Sequence, residues 1–294
     1  MTRLHERCDN LKVTGNLTMG KNSQLKVNNA DGTTSNVSTA ELAALDGALV
    51  RNTSFEIFDD FHAEALQGTG VGDGHWITFA GTDGDATAAL TTAGVPEGQI
   101  TMGSGDGGST EDGAVMSLIL LSKGALVSLG TTVFETRVSF SQLTGVAANF
   151  GLSDALATTG EHLLHTIDSG TVADGGLTVT NTVEFGFSSD ATATTKWQIC
   201  SENAGTIGNA GAEEALDIGP TANTYATLRI EVTAAGHARF YVDGVFKLER
   251  ALAVATTALL IPYIAIDAGT DAQTVTDLAI DYIQFTAARP TSNA

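Results

Sequence analysis

The sequence predicts an all-β body of two antiparallel sheets packed face to face, preceded by an extended N-terminal arm with short strands and one short helix. Three observations carry that reading. After Arg51 the chain falls into short runs in which apolar and polar residues alternate, the period-two pattern of strands with one buried face. The 33 glycines and four prolines punctuate those runs and lack the three-residue period of collagen. Past Gly47 no stretch shows the 3.6-residue period of a helix of ordinary length.

In chain order, residues 11–27 place Leu11, Val13, Leu17, Met19, Leu25 and Val27 at odd positions, with Gly15 and residues 20–23 as turn points. One face is apolar, yet the stretch is too small to bury it against itself. Ser38 and Glu41 then form a capping box for a short helix that stops at Gly47, with Leu42 and Leu45 on one side. Two readings stay open for this segment: an intermolecular arm whose apolar side chains meet sister chains or a larger assembly, or an embellishment packed on its own domain.

Charge marks the same division. Residues 1–51 hold six Lys and Arg against five acids, a balance of +1, and the remainder holds eight against twenty-nine, a balance of −21. We therefore divide the chain into an attachment and oligomerisation arm (1–51), a sandwich body (52–288) and a C-terminal tail (289–294). Fully extended, the arm reaches about 165 Å.

Within the body, Phe134, Val138 and Phe140 alternate with Glu135, Arg137 and Ser139. Leu228, Ile230 and Val232 alternate with Arg229 and Glu231, and Leu278, Ile280 and Tyr282 with Ala279 and Asp281. Each set predicts a half-buried strand. Ala235-Gly236 and Asp243-Gly244 separate Arg229–Val232, Ala238–Val242 and Phe246–Leu248, which predicts a tight three-stranded meander. Ala114 to Leu121 is more continuously apolar, as a central strand covered on both sides requires.

A net charge of −20 disfavours nucleic acid as a partner, since a phosphate backbone is repelled by all but the arm. No membrane partner is expected either. The runs Ala114–Leu121 and Ala258–Ile266 are too short for a helical span, and Met1-Thr-Arg-Leu-His-Glu-Arg7 lacks the apolar core of a signal peptide. Cys8 and Cys200 are too isolated for a metal site or a disulfide framework, which fits reduced thiols. Asp83 and Asp85, with Asp106, Glu111 and Asp112 in the next Gly-rich loop, supply the oxygen ligands calcium prefers. The spacing fails as an EF-hand, because counting Asp83 as position 1 puts Gly94 where the bidentate Glu belongs. Apart from that calcium candidate no cofactor is expected.

Catalytic patterns are sparse. A retaining glycosidase needs two carboxylates about 5 Å apart, which i, i+2 or i, i+4 positions on one strand provide. Glu56 and Asp59 are three apart and face opposite sides, and the adjacent Glu213 and Glu214 share that defect. No Gly-x-Ser-x-Gly elbow or phosphate-binding Gly loop occurs. The histidines His5, His62, His75, His162, His165 and His237 read as surface or loop residues, and His162 with His165 lacks a nearby third ligand for zinc. The expectation is that the chain is not an enzyme.

Several motifs nevertheless resemble a known family. Phe58-Asp-Asp-Phe61, Trp76, Phe134-Glu-Thr-Arg-Val-Ser-Phe140, Gly151-Leu-Ser-Asp154, Phe185-Gly-Phe187, Trp197 and Arg239-Phe-Tyr-Val-Asp-Gly244 are similar to the concanavalin A-like lectin/glucanase jelly roll, over residues 55–286. The variant most resembled occurs in bacteriophage virion proteins. Leu11–Gly20 and Thr39–Gly47 resemble the attachment segments of phage fibre and head-decoration proteins, which are commonly trimeric. The resemblance implies a capsid decoration or cement protein on the outer surface of a virion, made in the host cytoplasm. It would be a homotrimer that binds the major capsid protein through Leu11, Val13, Leu17, Met19, Leu25, Val27, Leu42 and Leu45. The alternative is a tail or head fibre adhesin that binds host surface carbohydrate. For sugar contact the ring-bearing candidates are Trp76, Trp197, Tyr225 and Tyr241, although core packing competes for both tryptophans.

Overall fold

Thr132, Phe134, Thr136 and Val138 turn inward while Val133, Glu135 and Arg137 are only half-buried, and this strand parity repeats across two stacked sheets. The computed structural model describes residues 25–28, 34–37, 54–61, 76–80, 86–90, 98–105, 113–118, 124–155, 163–175, 178–268 and 276–288. The chain forms two compact units, Met1–Asn52 and Thr53–Ala294. In the first, β1 (Leu25–Asn28) pairs antiparallel with β2 (Thr34–Val37), Leu25 opposite Val37 and Val27 opposite Ser35. Leu11, Val13, Leu17, Met19, Leu42 and Leu45, and the short helix expected near them, lie outside the described residues. So do Cys8, His162, Asp83, Asp85 and the acidic loop that follows them.

The second unit contains β3 (Ser54–Asp59), β4 (Trp76–Ala80), β5 (Ala86–Leu90), β6 (Ile100–Ser104), β7 (Gly113–Leu118), β8 (Ala125–Leu126), β9 (Thr132–Phe140) and β10 (Val146–Ser153). They are followed by β11 (His165–Asp168), β12 (Thr171–Asp174), β13 (Asn181–Ser188), β14 (Gln198–Asn203), β15 (Thr206–Ile207) and β16 (Ala226–Val232). The last four are β17 (Ala238–Val242), β18 (Val245–Arg250), β19 (Leu259–Ala268) and β20 (Asp277–Ala288). One sheet runs β15-β14-β13-β10-β19-β7-β4, with β8 also on β19. The other runs β18-β17-β16-β9-β20-β6-β5, with β3 also on β20. All pairings are antiparallel, and no α-helix occurs among the described residues. This is an all-β, two-sheet jelly-roll sandwich, as the resemblance implies.

Between the sheets Phe140, Phe150, Phe187 and Trp197 meet at ring-centroid distances of 5.4–6.1 Å, and Phe185 packs edge-on to Phe240 at 5.3 Å. The expected meander is β16, β17 and β18. Asp243 and Gly244 have φ of 51° and 74°, the positive values that a tight type I′ hairpin requires. β7 lies between β19 and β4 with Val115 and Met116 both buried, as its continuous apolarity predicts.

One strand departs from simple alternation. In β20 the register shifts between Ile280 and Tyr282, so Ile283, Phe285 and Ala287 face the core in place of Tyr282. The extra residue of a bulge reverses side-chain parity, which places the Tyr282 ring on the outer surface.

The other departure is a third layer. β11 and β12 form a two-stranded hairpin outside the first sheet. Its Ile167 and Val172 pack with Cys200 and Ala191, while Leu163 and Leu164 pack with Val115, Tyr263 and Ala265. Gly186 permits this approach, since a Cβ there would lie 2.4 Å from the Ile167 Cδ1. The hairpin tip is pinned by Glu213, whose Oε1 accepts from the backbone N–H of Gly170 (2.7 Å) and of Thr192 (2.8 Å).

Candidate functional site

The outer faces of the two sheets carry different constellations, and both arise from strand register. On the second sheet Phe246 pairs with Tyr241, Tyr241 with Arg229, Arg229 with Glu135, Glu135 with Gln284 and Gln284 with Phe58. This transverse row crosses six adjacent strands, a span of roughly 24 Å at the usual strand spacing. Its side chains form a continuous strip. The Phe58 and Tyr282 rings lie 5.7 Å apart, and the Tyr282 hydroxyl donates to Glu135 Oε1 at 2.7 Å. Arg229 then bridges Glu135 (3.2 Å) and Glu231 (2.7 Å). The Tyr241 hydroxyl donates to Glu231 Oε2 at 3.1 Å, and the Tyr241 ring lies 5.7 Å from Phe246. The order Phe, Tyr, Glu, Arg, Glu, Tyr, Phe reads the same from either end.

The strip is open. Phe58 is 57% and Phe246 52% exposed, large values for phenylalanines on a sheet. Beside it Arg137 sits 4.4 Å above the Tyr225 ring and pairs with Asp281 at 2.6 Å. Burial, and then the Glu135 carboxylate, push the Tyr282 hydroxyl up to about 12. Tyr241 is raised in the same way, by burial and by Glu231.

The first sheet's outer face is polar but sealed by the β11–β12 hairpin. Register aligns Tyr263, Gly151, Glu184 and Cys200 in one row and Ser153, Thr182 and Glu202 in the next. From the hairpin His165 inserts between the two glutamates. Its Nδ1 lies 2.9 Å from Glu184 Oε1 and its Nε2 3.7 Å from Glu202 Oε2, with all three side chains almost fully buried. Asn149 fixes the backbone there. Its Oδ1 accepts from Leu164 N (2.8 Å) and its Nδ2 donates to His165 O (3.3 Å). Burial opposes an imidazolium, but the Glu184 field and hydrogen bond, followed by Glu202, raise His165 to about 9. Glu184 is raised by burial, an effect that His165 counters. His165 Nε2, Glu184 Oε2, Glu202 Oε2, Thr182 Oγ1 and Gln198 Oε1 have no hydrogen-bond partner.

The structure corrects several sequence expectations about sites. Trp197 is fully buried among phenylalanines. Trp76 is 3% exposed, its Nε1 donating to Asp59 Oδ2 at 2.8 Å, so neither ring is available to stack on a sugar. Tyr225 and Tyr241 are both half-buried and lie on or beside the open strip. His165 is not a surface or loop residue, because its partners come from β13 and β14 and no spacing near His165 reveals them. Cys200, set aside in sequence, lies within a His165–Glu184–Cys200 cluster whose ligating atoms are all within 4.8 Å of one another.

No protein-family model matches the chain, and no curated protein matches it. Solved structures do. A Bacillus licheniformis β-glucanase aligns with a TM-score of 0.52 at 13% identity, covering 80% of this chain and 98% of that one. A structure described for endo-acting O-glycanases of the human gut microbiota, which initiate mucin breakdown, aligns at 0.54 and 10% identity, covering 79% and 98%. A β-1,3-1,4-glucanase from a mouse hindgut metagenome aligns at 0.50 and 12%, covering 78% and 98%. At such identities the likeness establishes the fold.

Two expectations fall with these findings. The virion reading of the body rested on motifs that the sandwich itself explains, while the arm segments 11–20 and 39–47, on which the capsid partner and the trimer rested, lie outside the described residues. Asp59 serves Trp76 and Phe61 N (2.8 Å), a Cβ on Gly151 would lie 2.2 Å from Val183 O, Asp154 accepts from Thr180 N (3.1 Å), and Asp243-Gly244 is a hairpin turn. The three aligned structures named above are of, or are described for, glycan-acting enzymes. The expectation of no enzymatic activity falls for the same reason. It assumed that a carboxylate pair must lie on one strand, whereas Glu184 and Glu202 share a face from neighbouring strands.

Proposed function

We propose that the jelly roll is a carbohydrate-recognition module that binds an extended glycan across the open outer face of the second sheet. The observation that carries this reading is the strip from Phe58 to Phe246. Aromatic faces at both ends suit the C–H surfaces of sugar rings, and the Glu–Arg–Glu centre offers donors and acceptors for hydroxyls. The charged groups already hold one another in place, so little side-chain entropy remains to be lost on binding. The fold shared with glucanases and O-glycanases supports the same ligand class.

The test is affinity for a soluble β-1,3-1,4-glucan and for mucin O-glycans, measured by calorimetry on the full chain. Phe58→Ala and Phe246→Ala, both at exposed positions, are each expected to weaken binding about 3- to 10-fold, the worth of one aromatic contact. Unchanged affinity in both variants, or no binding by the wild type, sinks the proposal.

A further inference from the structure

His165 and Asp174 are register partners in the β11–β12 hairpin, so their side chains leave the same face of it side by side. Glu202 approaches from β14 in the sheet beneath. The ligating atoms of His165, Asp174 and Glu202 all lie within 4.8 Å of one another. A first-row ion of the zinc type holds nitrogen and oxygen ligands at ~2.0–2.2 Å in tetrahedral geometry, so ligand atoms on one ion lie ~3.3–3.6 Å apart. His165 Nε2 and Glu202 Oε2, 3.7 Å apart, are already near that spacing, and the exposed Asp174 carboxylate has up to ~1.5 Å to close.

Three details point to a ligand. The His165 side chain is fully buried, yet its Nε2 has no hydrogen-bond partner and faces a Glu202 Oε2 that also has none. On the other side of the ring, Glu184 engages Nδ1 at 2.9 Å. A carboxylate on one imidazole nitrogen directs the other nitrogen's lone pair outward, the arrangement that orients histidines on metals. Asp174 is exposed at the hairpin edge and provides a route in from solvent. Asn149 holds the His165 backbone on both its N–H and C=O sides, so the ligand direction is set before anything binds.

We propose that His165 Nε2, Glu202 and Asp174 form a binding site for a divalent first-row metal ion of the Zn²⁺ type, with Glu184 as the positioning residue for His165. An imidazole nitrogen with two carboxylates suits zinc and its neighbours better than calcium, which takes six to eight oxygens. The companion cluster through Cys200 is less suited, because burial and the Glu184 charge push that thiol well up and keep it protonated. Binding the ion releases the Nε2 proton and ties the hairpin to the sheet through β14. The site is separate from the open strip and does not depend on glycan binding.

The experiment is calorimetric titration of chelator-stripped full-length protein with Zn²⁺ alone, in two buffers of different ionisation enthalpy. The expected result is one saturable site per chain, with a buffer-dependent heat that reports proton release. Asp174→Asn, at an exposed position, should keep the melting temperature of the metal-free protein and lower affinity at least tenfold. Glu184→Gln should lower it about 10- to 100-fold. Absence of saturable binding, or the same affinity in Asp174→Asn and Glu202→Gln as in the wild type, overturns the assignment and leaves His165 as a protonated structural link between two glutamates.

Discussion

Each sheet carries on its outer face a cation set between two glutamates, and the two sets differ in everything except that composition. Arg229 lies between Glu135 and Glu231 in the open, with both tyrosine hydroxyls completing the carboxylates. His165 lies between Glu184 and Glu202 under a hairpin, with three of its polar atoms unpartnered. Water screens the first set, so it costs little and contributes little to stability. The second set is desolvated, so it is held in place only because the surrounding fold overdetermines it. Charge on an open face suits recognition of something that arrives. Charge sealed with bare ligand atoms suits an ion or a proton.

The comparison breaks most severely at the sealed set. His165→Leu removes the cation and leaves Glu184 and Glu202 buried without compensation, a loss expected to reach about 3–5 kcal/mol in urea unfolding. A change below 1 kcal/mol would mean that water already enters beneath the hairpin. Gly186→Val attacks the same layer from the packing side. Its side chain meets Ile167, and we expect ~1–3 kcal/mol of destabilisation together with faster amide exchange in β11 and β12. Exchange confined to other strands would show that the hairpin is not held by that contact.

The matched change on the open face is far milder. Arg229→Ala should cost about 1 kcal/mol or less, because its partners stay in water when it leaves. A loss as large as that from His165→Leu would mean that Arg229 and its glutamates are as desolvated as the set beneath the hairpin. Smallest of all is a titration. The Tyr282 hydroxyl should ionise near 12, as seen in the alkaline absorbance difference between the wild type and Tyr282→Phe. Because that folded value lies above the ordinary ~10 of tyrosine, its contribution to stability is present below pH 10 and fades as pH rises towards 12. Glu135→Gln should bring the titration back towards 10, and an unmoved curve would deny Glu135 its part.

The sequence made the sandwich legible where one period governs an entire strand. β9, β16 and β17 follow from alternation, and the β17–β18 turn follows from Asp243-Gly244. Alternation misplaces Tyr282 because the register shift that turns it outward is a property of the pairing with β9 and leaves no mark in the local sequence. The candidate sites were less legible still. Tyr241 is visible as an outward residue, but its continuity with Phe58 depends on strands almost two hundred residues apart. His165 looked ordinary because its partners, Glu184 and Glu202, are supplied by two other strands. One signal was present: β13 alternates Val183, Phe185 and Phe187 with Thr182, Glu184, Gly186 and Ser188, and a row of such small neighbours around one acid suits a covered face better than a solvated one.

The most direct test of this division of labour is one affinity measurement on three full-length proteins with the same soluble glycans: the wild type, the Phe58→Ala/Phe246→Ala double variant and Asp174→Asn. The double variant is expected to lose at least tenfold in affinity while Asp174→Asn binds as the wild type does. A double variant with wild-type affinity, alongside an Asp174→Asn protein that has lost it, would place the glycan on the sealed face instead.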